Sequence, residues 1–197
     1  MGAILLVLAG CAQTPVAQVR QPAMLAATTT AAIRIRARAV ILVRHADIRI
    51  ADKATQGSKT ELTPRGVLRA GTLVGALQEA GITKIYTSDA LRTRQTAVAL
   101  AGALKLTPET PFGHGGGSKE AEAAAVLQYL AAHATPEDTI LVVEHHSVIP
   151  FILSALGFTR EEIDEEREFD RAYVILPPTG GDRYRLLRLR YGETPAP

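Results

Sequence analysis

The stretch Ala39-Val40-Ile41-Leu42-Val43-Arg44-His45 decides how this chain is read. A short apolar run rich in β-branched residues, cut off by a cation and an imidazole, reads as a strand buried on both faces. Strands of that kind belong to parallel sheets, whose connections are helices laid on either side. The change of character at Arg44 then puts two chemically capable side chains at the carboxyl end of the strand, where ligands of such sheets bind.

Reading outward, the alternation of strand and helix patterns continues. Upstream, Arg34, Arg36 and Arg38 alternate with Ile33, Ile35 and Ala37, the mark of a half-buried extended segment. A basic stripe facing anionic lipid is the other reading. Downstream, the polar stretch around Gly57 and Ser58 predicts a mobile loop. Thr63-Pro64 supplies an N-cap and a first-turn proline. The helix it opens reaches about Ala80, with Val67, Leu68, Leu73, Val74 and Leu77 as its apolar face and Gly81 as its C-cap. A strand at Lys84–Thr87 precedes a helix from Ala90 to about Leu104. The glycine-rich loop His114-Gly-Gly-Gly-Ser118 reads as a flexible lid ahead of a helix from Lys119 to His133. A second buried run, Thr139–Val143, precedes a helix from Val148 to Leu156. The last strands, Ala172–Leu176 and Tyr184–Leu189, are joined by Pro177-Pro178-Thr179-Gly180-Gly181. The expected fold is α/β: a three-layer α/β/α sandwich, mostly parallel in its central sheet, with an antiparallel edge.

Composition narrows the function without naming one. The chain has 197 residues, 47% hydrophobic and 21% charged, enough for one core without staples. A net charge of +2 is too small to argue for nucleic acid. A single cysteine excludes an internal disulfide and a cysteine-held zinc.

Three strand ends carry the chemistry. The first is Arg44-His45. The second is Thr87-Ser88-Asp89, followed by Arg92 and Arg94 at a helix start. The third is Glu144-His145-His146-Ser147. Converging guanidinium groups grip phosphoryl oxygens in pairs, and a helix N-terminus adds backbone donors. An imidazole among arginines is kept neutral, hence nucleophilic at neutral pH. A metal site at His145-His146 is disfavoured, because adjacent side chains diverge and no third ligand has suitable spacing. No metal or organic cofactor is expected. The acidic run Glu161, Glu162, Asp164, Glu165, Glu166 and Glu168 reads as a solvated helix face. Arg183, Arg185, Arg188 and Arg190 read as the solvent side of an edge strand.

Four segments resemble the histidine phosphatase superfamily, also called phosphoglycerate mutase-like. Leu42-Val-Arg-His-Ala46 resembles its Arg-His-Gly signature, and Leu62-Thr-Pro-Arg-Gly66 its Leu-Thr-Pro-x-Gly segment. Tyr86-Thr-Ser-Asp-Ala-Leu-Arg-Thr-Arg-Gln-Thr-Ala97 is similar to its Ser-x-Leu-x-Arg stretch. Val142-Val-Glu-His-His-Ser-Val-Ile-Pro150 is similar to its second histidine motif. The resemblance spans about residues 39–176. It implies a phosphoglycerate mutase-like fold and a metal-independent, two-step phosphoric monoester hydrolase. His45 would become phosphohistidine, Arg44 and Arg92 would bind the phosphoryl oxygens, and His145 would contact the transferred group. Ala46 replaces the family's usual glycine, and His146 stands where glycine or serine is usual. The general acid stays open among Asp47, Glu109, His114, Glu120 and Glu122, with Glu120 preferred. The substrate is expected to be a phosphorylated small molecule or phosphoprotein. A phosphoglycerate mutase-type phosphotransferase and a non-catalytic phospholigand-binding module are the alternatives.

The apolar run Met1–Gly10 has the length of a secretory h-region and is too short to span a bilayer. Leu8-Ala9-Gly10-Cys11 resembles the bacterial lipobox, which implies cleavage before Cys11 and acylation of its thiol. The expected organisation is a lipoprotein signal peptide over 1–10, an acylated cysteine and flexible tether over 11–37, and the histidine phosphatase domain over 38–197. The expected location is the cell envelope, on the periplasmic side of the outer membrane, with a lipid anchor as the membrane contact.

Overall fold

The computed structural model describes residues 33–180 and 183–193. The expected leader, Cys11 and the tether up to residue 32 lie outside these residues, as do positions 181–182 of the expected hairpin turn. In chain order the first elements are β1 (Ala39–Arg44), α1 (Ile50–Gln56), α2 (Pro64–Leu77), β2 (Lys84–Ser88), α3 (Leu91–Leu104) and β3 (Glu109–Phe112). They are followed by α4 (Lys119–His133), β4 (Thr139–Glu144), α5 (Ile149–Ala155), β5 (Arg171–Leu176) and β6 (Arg185–Arg190).

The six strands form one sheet in the order β3-β2-β4-β1-β5-β6. β1, β2, β3 and β4 are parallel, while β5 and β6 complete an antiparallel edge. Every residue of β1 and β4 is buried, which accounts for their unbroken apolar runs. One face of the sheet offers Val40, Leu42, Ile140 and Val142 to Val126, Leu127 and Leu130 of α4 and Ile149, Ile152 and Leu153 of α5. The other offers Ile41, Val43, Leu141 and Val143 to Leu73 and Leu77 of α2 and Leu100 of α3. Each such fully buried Leu, Ile or Val contributes about 1.5–3 kcal/mol by leaving water.

Several expectations change in detail. The loop around Gly57 is ordered as α1 and a short 3-10 turn at Gly57–Lys59, and β3 is an additional strand. Helix α2 ends at Leu77 with Gln78 as its C-cap, ahead of Gly81. Its inward face is Gly66, Arg69, Ala70, Leu73 and Leu77, whereas Val67 and Leu68 are 60% and 73% exposed. Polar contacts explain this phase. Arg69 Nε donates to Asp47 Oδ2 at 2.5 Å, and the backbone of Gly66 lies hard against that of Asp47. The acidic run is no helix. It forms an extended strap with one turn at Glu165–Arg167, tied to β5 and β6 by Glu161–Arg188, Glu168–Arg171 and Asp170–Arg190 pairs. Residues 33–37, read partly as tether, lie against the core: Ile35 and Ala37 are buried while Arg34, Arg36 and Arg38 face outward.

Candidate active site

Strand order places the site. The connection leaving β1 crosses to the α2 face, and the one leaving its neighbour β4 crosses to the α5 face. A crevice opens where adjacent parallel strands send their connections opposite ways, at their carboxyl ends. There β1 delivers Arg44-His45 and β4 delivers Glu144-His145, in a register that pairs Arg44 with Glu144. Strand β2 and the start of α3 bring Ser88 and Arg92 beside them.

His45 is held by backbone and buried completely. Its amide donates to Glu144 O at 2.9 Å, and Nδ1 donates to Ala46 O at 2.9 Å. Ala46 N donates in turn to Thr96 Oγ1 of α3, and Asp47 O accepts from Thr63 N. With Nδ1–H on a carbonyl, the lone pair of the neutral ring resides on Nε2. Burial first, and Arg44 second, hold the His45 ring well below its ordinary 6.5.

Arg92 spreads over the crevice. Nη1 donates to Gly57 O at 3.0 Å, and Nη2 faces His145 Nδ1 at 3.3 Å and His114 Nε2 at 3.1 Å. A guanidinium only donates, so His145 carries its proton on Nε2, 2.9 Å from Ser88 Oγ. The His45 and His145 rings meet edge to face with centroids 5.3 Å apart. Burial, then the neighbouring His45, His114 and Arg92, keeps His145 well below 6.5. The expected direction of both shifts holds, but loss of water outweighs the arginines as its cause.

Arg44 departs from the expected phosphate fork. Its guanidinium lies 3.8 Å over the Phe169 ring, with Nη1 donating to Asp164 O and Glu168 O and Nη2 to Glu165 O. The terminal nitrogens thus hold down the strap. Nε of Arg44 and Nε of Arg92 are both buried without a partner. Two orphaned cationic donors at one crevice suit an anion, which would satisfy them at little cost in geometry.

The carboxylate candidates separate clearly. Glu120 is exposed on the first turn of α4 and joins no hydrogen bond among the described residues. Glu122 sits two positions on, beside the buried stripe of Ala123, Val126, Leu127 and Leu130, and so turns inward instead. It accepts from Lys119 Nζ at 2.7 Å and Gly115 N at 3.1 Å, and faces His114 Nδ1 at 3.2 Å. The glycine loop is therefore pinned by Glu122 and is no free lid. Asp47 is committed to Arg69 and Arg65. Glu109 is exposed on β3, facing Tyr129.

Two residues that the sequence reading placed at strand ends, without a role of their own, prove to hold His145. Ser88 fixes the proton of His145. Glu144 is 2% exposed and its Oε2 accepts from His145 N at 3.1 Å. Burial pushes its carboxyl up to about 8, so it is neutral at pH 7. A glutamate closing an otherwise apolar buried strand was the available signal. His146, by contrast, lies on the rim within 3.7 Å of Glu165, with burial and then Arg44 lowering it to about 4. A groove of about 670 Å³ opens beside it, with Lys119, Phe151, Arg160 and Ile163 among its walls.

Residues 40–112, which carry His45 and Arg92, match the family model of the histidine phosphatase superfamily, branch 1. That match takes in the first strand end and the start of α3, and ends before β4, which carries His145. Among solved structures, the fold is similar to the protein histidine phosphatase SixA complexed with tungstate, 19% identical with a TM-score of 0.59 over 77% of this chain and 96% of that one. It is similar also to mycobacterial glucosyl-3-phosphoglycerate phosphatase, 18% identical with a TM-score of 0.59 over 81% and 100%. A third likeness is the phosphoserine phosphatase of Entamoeba histolytica, 16% identical with a TM-score of 0.52 over 78% and 95%. No curated protein matches the sequence. At these identities the solved structures bear on the fold alone, and the family model matches residues 40–112.

Proposed function

We propose that this chain is a member of the histidine phosphatase superfamily and a phosphomonoester hydrolase working through a phosphohistidine on His45. The supporting observation is the state of that ring: neutral, with Nδ1–H engaged by Ala46 O and the Nε2 lone pair unengaged beside the arginines. In the first step Nε2 attacks phosphorus, and the phosphorus–ester oxygen bond breaks. In the second, water attacks the phosphohistidine and the electron pair of the P–N bond returns to Nε2. Arg92 and the Nε–H of Arg44 face the negative charge gathered on the transferring group, and fixed donors of this kind supply most of the rate in phosphoryl transfer. His145 donates to a phosphoryl oxygen once protonated, which a bound dianion favours. The ester group extends into the groove beside His146, whose mixed walls suit a small phosphorylated molecule or a phosphoprotein segment.

The test is His45→Ala on an aryl phosphate, with a search for acid-labile phosphate on the wild-type protein. Loss of the nucleophile is expected to lower kcat/KM by on the order of 10³-fold or more. Hydrolysis at near wild-type rate, or turnover with no label on His45, would overturn the reading. Attachment to the cell envelope through acylated Cys11 is part of the same proposal, supported by Leu8-Ala9-Gly10-Cys11. Its check is Cys11→Ser, which should release the protein from the membrane fraction or leave it unprocessed.

A further inference from the structure

His114 reaches the same crevice from a different part of the chain. Its ring stacks on that of His145 with centroids 3.6 Å apart and planes at 29°. Nδ1 faces a carboxylate, Glu122, and Nε2 faces a guanidinium, Arg92. The carboxylate only accepts and the guanidinium only donates, so Nδ1 bears the proton and Nε2 a lone pair. Glu122 is itself immobilised by Lys119 and the amide of Gly115, so the imidazole is oriented by a fixed acid. An oriented imidazole within reach of the phosphoryl-facing arginine is the arrangement a general acid–base requires.

We infer that His114 is the catalytic residue that protonates the departing ester oxygen, with Glu122 as its positioning residue. The inference rests on the phosphomonoesterase reading above. Before substrate binds, burial and then Arg92 favour the neutral ring, Lys119 acts the same way, and Glu122 opposes them. His145 lies against its face, and Asp89 lies across the loop at Gly113. A phosphate dianion draws the Nη2 donor of Arg92 onto its own oxygens, frees Nε2, and favours the imidazolium by its charge. When Nε2 of His45 attacks, the P–O bond breaks and the leaving oxygen takes the Nε2 proton of His114 as alcohol. In the second step His114 Nε2 accepts a proton from the attacking water, phosphate departs, and the imidazolium is restored. No other reactant is needed.

The leaving group reports on this step, because an aryloxide departs unaided whereas an alkoxide needs the proton. His114→Gln is expected to lower kcat/KM for ethyl phosphate by about 10²–10⁴-fold, the range for general acid catalysis, while kcat/KM for nitrophenyl phosphate stays nearly unchanged. Phosphohistidine should then accumulate with the aryl ester, because water has lost its base. Undiminished ethyl phosphate turnover overturns the proposal. If both esters fall together, Glu122→Gln decides, since it keeps the imidazole but removes the charge that favours its protonation. The expected result is a shift of the ethyl phosphate profile toward lower pH, and an unmoved profile overturns the proposal. A wild type that cleaves neither ester overturns the phosphatase reading itself, and this inference with it.

Discussion

An imidazole becomes a useful nucleophile only when one nitrogen is already committed, and Ala46 O makes that commitment for His45. The residue beside it shows how a chemically plausible group is lost to structure. Asp47 accepts from buried Arg69, which also reaches Glu193 O, so its carboxylate braces the loop and faces no substrate. Asp47→Asn should lower stability by about 1.5–3 kcal/mol, the worth of a hydrogen bond to a charged group. The ratio of alkyl to aryl phosphate turnover should not move, and a selective loss of the alkyl ester would place Asp47 in the chemistry after all. Glu120→Gln, on the exposed side of α4, should leave both esters within about twofold of wild type, as surface changes usually do. Motif residues were readable because they end apolar runs. Ser88 and Glu122 were harder, since the histidines they hold lie 57 and 8 residues away, and Glu144 was harder because its burial depends on the whole sheet.

At the scale of elements, α2 shows geometry overriding hydropathy. Its apolar residues Val67 and Leu68 point to water so that Gly66 can touch the loop after β1. A Cβ at Gly66 would sit 2.2 Å from Asp47 O and 3.0 Å from Asp47 N, all backbone, which cannot swing aside. Gly66→Ala should therefore cost about 1–3 kcal/mol as an overpacked contact, and disturb His45 as well. Gly71→Ala is its control on the same helix, where a Cβ meets nothing within 4 Å. It should raise stability by about 0.4–1 kcal/mol by restricting the unfolded chain. Thermal melts separate the two, and equal effects of the same sign would contradict this placement of α2. The strap over 161–170 teaches a related lesson. Its acidic residues, read as a solvated helix, instead pair with arginines of β5 and β6, while its carbonyls collect on Arg44.

At the scale of the whole molecule, burying titratable groups at the sheet edge links folding to pH in two opposite senses. Folded His45 and His145 titrate below their unfolded 6.5, so their contribution is present above 6.5 and lost as pH falls below it. Glu144 is the reverse, raised from 4.5 to about 8, so the fold binds a proton the unfolded chain has released, and stability falls as pH rises through that window. Glu144→Gln keeps an acceptor for His145 N but removes that proton. Denaturant titrations should show the variant gaining on wild type between pH 4.5 and 8, by at most about 1.4 kcal/mol per pH unit. A constant difference across that range would mean that Glu144 is ionised in the fold. By itself the sequence determined the layers and the addresses: buried runs at Val40–Val43 and Ile140–Val143, the capped helix after Thr63, and cations and imidazoles at three strand ends. Those are local signals, because period and punctuation are set by near neighbours along the chain. Only the tertiary structure decided which groups meet there. Arg44 lies against carbonyls 120 and 124 residues away, Arg92 against His145 across 53, and Glu122 turns in where Glu120 does not. Such meetings depend on strand order, helix phase and the exclusion of water from one crevice, and none of these leaves a periodic trace in sequence.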